Sequence, residues 1–142
     1  MFQNPFHERS SETLASVLNN APASIIVCSA KSRALLYANE RACKLFIKED
    51  YRPGITCYEA AGHVKPCPFC QYEEQNSLEF TVRNHMEPVT RRIYQISSKM
   101  IDWEGEPAYI EYIVDVTEDQ TKTERYRNRS EELDRTLCSI PC

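Results

Sequence analysis

The strongest constraint in the chain is the run from Leu78 to Arg83, where Leu78, Phe80 and Val82 alternate with Glu79, Thr81 and Arg83. A period of two sends successive side chains to opposite faces, which suits a half-buried strand and not an amphipathic helix. Two more strand candidates follow: Arg91 to Ile101, and Tyr109 to Val116, which is rich in β-branched and aromatic residues. The links between them, Asn84 to Pro88 and Asp102 to Pro107, are short. Parallel neighbours need a crossover of about a dozen residues or more, so these three strands must form an antiparallel meander.

The first half of the chain breaks into shorter units. Asn4 before Pro5 predicts a helix start, and Leu14, Val17 and Leu18 continue it as a sparse apolar stripe. Asn19-Asn20-Ala21-Pro22 stops the helix, because the residue before proline is pushed out of the α region. Ala23 to Ala30 reads as a buried strand and Ala34 to Ala38 as its hairpin partner. Asn39 can cap a short helix over Glu40 to Phe46, with Ala42, Leu45 and Phe46 as its apolar face. Pro53-Gly54 marks a turn, Ile55 to Ala61 one or two helical turns, and Gly62 their end. His63 to Cys70 has two prolines and no period, as expected of a loop.

The chain ends differently from how it begins. Glu118 to Leu137 holds eleven charged residues in twenty, without Gly or Pro, and predicts a polar helix capped by Thr117. Glu118 with Lys122, Arg127 with Glu131 and Glu131 with Arg135 are opposite charges four residues apart, each pair contributing about 0.2–0.5 kcal/mol. Tyr126, Leu133 and Leu137 form a sparse seam that two chains can share, so a homodimer through the terminal helices is expected.

With 142 residues the chain suits one domain, and a net charge of −4 gives no attraction to nucleic acid or anionic lipid. The longest strongly apolar run, Ile25 to Cys28, is far short of the roughly 18 residues that span a bilayer, and Met1 to Ser10 lacks the pattern of a secretory signal. A cytoplasmic location without membrane or nucleic-acid partners is the expectation. Seven cysteines in such a compartment read as thiols, metal ligands or redox pairs rather than a disulfide framework.

The order of elements, together with several short motifs, resembles a PAS domain over about Leu18 to Glu118. The motifs are Leu18-Asn19-Asn20-Ala21-Pro22 with Ile25-Ile26-Val27, then Tyr37-Ala38-Asn39 before Ala42 and Leu45-Phe46, then Asp102 with Gly105. Asp115-Val116-Thr117-Glu118 resembles the Asp-x-Thr signature joining such domains to a signalling helix. The resemblance implies an α+β fold: a five-stranded antiparallel sheet in the order 2-1-5-4-3, with short helices over one face and flanking helices at both ends. It divides the chain into an N-terminal flanking helix (1–21), a sensor domain (22–117) and a C-terminal signalling helix (118–142).

The resemblance also implies a bacterial sensory, non-enzymatic module that binds a small ligand or partner. Its signal would pass through Asp115 and Thr117 to an output module outside these residues: a histidine kinase, diguanylate cyclase or transcriptional regulator. The flavin-binding subclass carries Gly-x-Asn-Cys-Arg-Phe, which Gly54-Ile55-Thr56-Cys57-Tyr58-Glu59 does not match. Haem-binding members use a histidine on the helix before the third strand, and Phe69 to Asn76 has none there, although His63 and His85 flank it.

The densest local chemistry is Cys57, His63, Cys67 and Cys70, the last two in the pair Cys67-Pro68-Phe69-Cys70. Three readings follow from these residue types: buried free thiols, a reversible disulfide within Cys57, Cys67 and Cys70, or a tetrahedral N/S site for zinc or iron. The pattern Gly54-x-x-Cys57-Tyr58 with Pro66-Cys67-x-x-Cys70 also resembles a cysteine-bearing subset of bacterial PAS sensors. Cys28 and Cys43 are expected to be inert core thiols, and Cys138 and Cys142 tail residues. Cys-Pro-Phe-Cys resembles a glutaredoxin active site as well, but the βαβ context of that thiol–disulfide chemistry is missing.

If Glu79, Arg83, Glu111 and Asp115 point outward, the opposite face carries Leu78, Phe80, Val82, Tyr94, Ile96, Tyr112 and Val114. These seven are the expected ligand lining, with Tyr94, Tyr112 and Ser98 to orient a polar group.

Overall fold

β-branched and aromatic residues concentrate in five segments, and all five pair into one sheet. A computed structural model describes residues 10–66, 78–119, 122 and 124–129. The strands are β1 (Ser24–Ser29), β2 (Leu35–Ala38), β3 (Thr81–Met86), β4 (Ile93–Trp103) and β5 (Glu106–Asp115), in the order β2-β1-β5-β4-β3. Every pairing is antiparallel. The α+β architecture and strand order that the resemblance implies are therefore the ones observed.

The helices are α1 (Ser11–Asn19), α2 (Glu40–Leu45) and α3 (Cys57–Ala60), and residues 117–119, 122 and 124–129 are helical beyond β5. Strand bounds move by a few residues from the expected ones. β3 begins at Thr81 and runs through Met86, so Leu78 precedes it and Asn84 belongs to it. β4 and β5 are joined by Glu104-Gly105 alone, with φ of 50° and 87°, the two left-handed residues that a tight hairpin matched to strand twist requires. The expected helix start at Asn4 and Pro5 lies outside the described residues; α1 is capped at Ser10, whose backbone is extended and whose side chain accepts from the Thr13 N–H.

One buried side chain assembles the N-terminal half. Asn39, 1% exposed, caps α2 by accepting from Ala42 N at 3.0 Å and also accepts from Ile25 N at 3.0 Å. Its amide donates to Leu18 O at 2.9 Å and Ala23 O at 3.0 Å. A single side chain thus ties the end of α1, the start of β1 and the start of α2. α3 has a capping box, in which Thr56 accepts from Glu59 N while the Glu59 carboxylate returns to the Thr56 N–H.

The core forms where α3 and the chain before it lie on the sheet: Cys28, Leu35, Ile55, Ala60 and Tyr109, with Ile26, Ile47, Cys57 and Met100 against them. Two apolar assignments change. Leu45 is 55% exposed and Cys43 is exposed, so α2 buries Ala42 and turns both outward.

Asn39→Ala removes a helix cap and strands buried donors and acceptors at once, and is expected to cost about 2–4 kcal/mol. The shift in urea midpoint at unchanged slope measures it.

Candidate functional site

Register decides which side chains share a face. Cys28 opposes Tyr109, and Tyr109 opposes Met100, so the face carrying these residues is the one covered by Ile55 and α3. Counting by twos, this inner face also holds Glu111 and Asp115 on β5, Tyr94, Ile96 and Ser98 on β4, and Thr81, Arg83 and His85 on β3. The outer face holds Val82, Tyr112 and Val114, and Phe80 joins it by stacking edge-on to Tyr112 at 5.8 Å under Lys99 Nζ at 5.4 Å.

The seven expected lining residues are therefore divided. Tyr94 and Ile96 are inside, with Tyr94 meeting the Phe46 ring edge-on at 5.5 Å. Phe80, Val82, Tyr112 and Val114 are on the outer face, and Leu78, 87% exposed, precedes β3. The assumption that charge marks the outward face fails because Arg83 and Glu111 satisfy each other within. Arg83 Nη2 lies 3.7 Å from Glu111 Oε1, and Arg83 Nη1 donates to Ser98 Oγ at 3.1 Å. Only 11% of the Arg83 and 19% of the Glu111 side chain is exposed. Burial pushes the Glu111 carboxyl up from its usual range, against the pull of the Arg83 guanidinium. Arg83 Nε is buried without a hydrogen-bond partner among the described residues. Ser98, expected to orient a polar group, is fully buried at the centre of this cluster.

The cysteine group is only partly in view. Cys67 and Cys70 lie outside the described residues, as do Cys138, Cys142, Leu133 and Leu137. Cys57 opens α3 with its thiol turned inward, 3.7 Å from Tyr109 Oη, whereas His63 is exposed beyond the end of α3. His63, Arg52 and Glu59 line an open polar depression there, and Arg52 and Glu59 pair at 2.8 Å. Among the described residues no three His, Cys, Asp or Glu side chains group to hold a metal ion. The sheet is antiparallel throughout, whereas a glutaredoxin motif belongs in a βαβ unit.

A second cluster sits where β5 leaves the sheet. Thr117 Oγ accepts from Ile93 N at 2.9 Å and donates to Asp115 Oδ1 at 2.5 Å, while Thr117 N donates to the same oxygen at 3.0 Å. Arg92 reaches Asp115 Oδ2 at 3.4 Å, and Val116 N donates to Ile93 O at 2.9 Å. Desolvation works the other way, but the Thr117 hydrogen bonds and the Arg92 charge hold the Asp115 carboxyl below its usual range. The hydroxyl expected to cap the last helix closes the start of β4.

Arg83→Met leaves Glu111 buried without its counter-charge and raises its carboxyl further. A carboxyl raised in the folded state contributes stability below its unfolded value and loses it as pH rises through the folded one. The variant should therefore lose little near pH 4 and about 3 kcal/mol near pH 8, read from urea titrations across pH.

No protein-family model matches the chain, and no curated protein sequence matches it. Solved structures do. The PAS domain of an HTR-like protein from Haloarcula marismortui superposes with a TM-score of 0.53 at 17% identity, covering 74% of this chain and 90% of that one. An RNA-binding light-oxygen-voltage receptor superposes with a TM-score of 0.54 at 16% identity over 92% of this chain, which spans 40% of that receptor. The superposition on a PAS domain, with the sheet order β2-β1-β5-β4-β3, makes this chain a PAS-fold domain.

Proposed function

We propose that the chain is a sensory signalling domain, regulatory rather than catalytic, whose inner sheet face receives a small polar ligand or a partner group. The change passes along β5 and through Asp115 and Thr117 into the C-terminal helix, and from there to an output module such as a kinase, diguanylate cyclase or transcriptional regulator. The observation that carries this reading is the bond from Ile93 N to Thr117 Oγ, which makes the first turn of the exit helix part of the sheet's own hydrogen-bond network. A shift of β4 against β5 cannot leave that turn where it was. Supporting the inner face as the receiving site are the Arg83–Ser98–Glu111 cluster and the open donor at Arg83 Nε. Buried charge of this kind contributes little to stability and suits recognition of a polar group.

No helix among the described residues is long and apolar enough to cross a membrane. A cytoplasmic setting in a bacterial regulator fits the proposal. A second copy of the chain is the proposed partner of the terminal helices. α1 has no buried residue, Leu14 is 46%, Val17 65% and Tyr126 76% exposed, and all three are left without cover in one chain.

The relay is tested without knowing the ligand. Glu111→Gln and the milder Ser98→Ala disturb the inner face alone, and each is expected to move the backbone amide resonances of residues 124–129. The shifts should disappear when Thr117→Val is added. Unmoved helix resonances in both single variants would reject the relay.

The dimer is tested by sedimentation equilibrium. Leu14→Glu, Val17→Glu and Tyr126→Glu together should weaken self-association at least tenfold, each charge costing about 1 kcal/mol or more when an apolar seam must bury it. An unchanged constant removes the terminal helices from the interface.

A further inference from the structure

The inner face carries a second chemistry that the proposed relay does not use. Cys28 and Tyr109 are cross-strand partners on β1 and β5, and Cys57 Sγ lies 3.7 Å from Tyr109 Oη, so Tyr109 neighbours both cysteines. The backbone holds Cys57 there. Leu35 N donates to Ile55 O at 2.7 Å, Ala34 bridges Thr56, and Cys57 N donates to Arg33 O at 3.0 Å. Leu35 is itself the β2 partner of Cys28. The segment that leads into α3 is thus hydrogen-bonded to the residues that pair with β1, and Cys57 packs against the core cluster that contains Cys28 and Tyr109.

We infer that Cys28 and Cys57 are a redox-active dithiol, which a peroxide converts to an intrachain disulfide joining β1 to α3. Their environments divide the roles. Cys57 is partly exposed, within reach of a small oxidant, whereas Cys28 is 1% exposed and shielded from solvent. The hydrogen bond from Cys28 brings the Cys57 thiol down to about 7 against the cost of burial, and Tyr109 assists. The same contact and burial push Cys28 up, and Glu111, on the same face of β5, raises both. Cys57 is the nucleophile and Cys28 the resolving thiol.

The steps balance with hydrogen peroxide as oxidant. The Cys57 sulfur attacks one peroxide oxygen, the O–O bond breaks, an S–O bond forms, and the other oxygen leaves as water with the thiol proton. The Cys28 sulfur then attacks Cys57, the S–S bond forms, and the sulfenic hydroxyl leaves as water with the Cys28 proton. Two thiols lose two electrons, and one peroxide becomes two waters.

The test uses the full reduced chain with stoichiometric hydrogen peroxide at pH 7, acid quenching, alkylation and non-reducing peptide mapping. The expected product joins Cys28 to Cys57 and leaves five of the seven thiols alkylated. A disulfide from Cys57 to Cys67 or Cys70, or an unreacted Cys57, overturns the assignment. Because Cys28→Ala alters the core, Tyr109→Phe is measured beside it, and each protein is reacted with iodoacetamide across pH. Both variants should move the Cys57 midpoint upward and slow its alkylation at pH 7 about fivefold. A midpoint unmoved in both overturns the assignment too.

Discussion

The fold depends first on the four hydrogen bonds of Asn39. A buried amide has two acceptor and two donor positions, and here all are used on backbone groups from three elements that no ladder joins. Ile25 N and Ala23 O belong to the start of β1, Leu18 O to the end of α1, and Ala42 N to the first turn of α2. Each would otherwise be a polar group shut away from water, costing on the order of 1–3 kcal/mol. β1 is an interior strand, between β2 and β5, so fixing its start also fixes the register against which β5 and then β4 assemble.

The inner face shows why such a sheet is more than a core. At its β1 end it is apolar apart from the thiols and Tyr109, and towards β3 it becomes polar, with Arg83, Ser98 and Glu111 buried together. Replacing the ion pair by apolar residues of similar volume would be neutral or better for stability, so stability alone does not account for its placement. Its distance of 3.7 Å, longer than a good charge-assisted hydrogen bond, leaves the guanidinium only loosely held by Glu111.

Local chemistry and strand order were legible in the sequence, and which side chains meet across the sheet was not. The Asn39 cap and the end of α3 before Gly62 depend on residues within a few positions of one another and stand where the pattern put them, whereas β3 keeps its alternation but starts at Thr81 and turns Val82 outward. The choice of face went astray because it assumed that charged residues meet water. Arg83 and Glu111 meet each other instead, two strands apart, and no spacing in the sequence announces that partnership. Cys28 is the buried core thiol expected, and its neighbour Cys57 could not be read beside it because that residue arrives after β2, on a segment whose backbone bonds reach Arg33 and Leu35. Thr117 was read as a cap because a helix follows it, while its bond to Ile93 depends on β4 starting beside it.

β5 is the element that both inner-face chemistries share. Tyr109, Glu111, Ile113 and Asp115 lie on its inner side at every second position, meeting in turn the thiols, the Arg83 cluster, Ile96 and the exit junction. At about 3.4 Å per residue, the phenol that touches Cys57 and the carboxylate that holds Thr117 are about 20 Å apart along one continuous strand. β5 is paired on both sides over most of its length, so it moves as a unit or not at all. A change at the thiol end that draws β1 towards α3 must act on β5 through the ladder. The least constrained response is at its far end, where pairing with β1 has stopped at Ile113 and only β4 and the Thr117 bonds remain. The geometry thus places the weakest restraint on β5 at the point where the helix leaves.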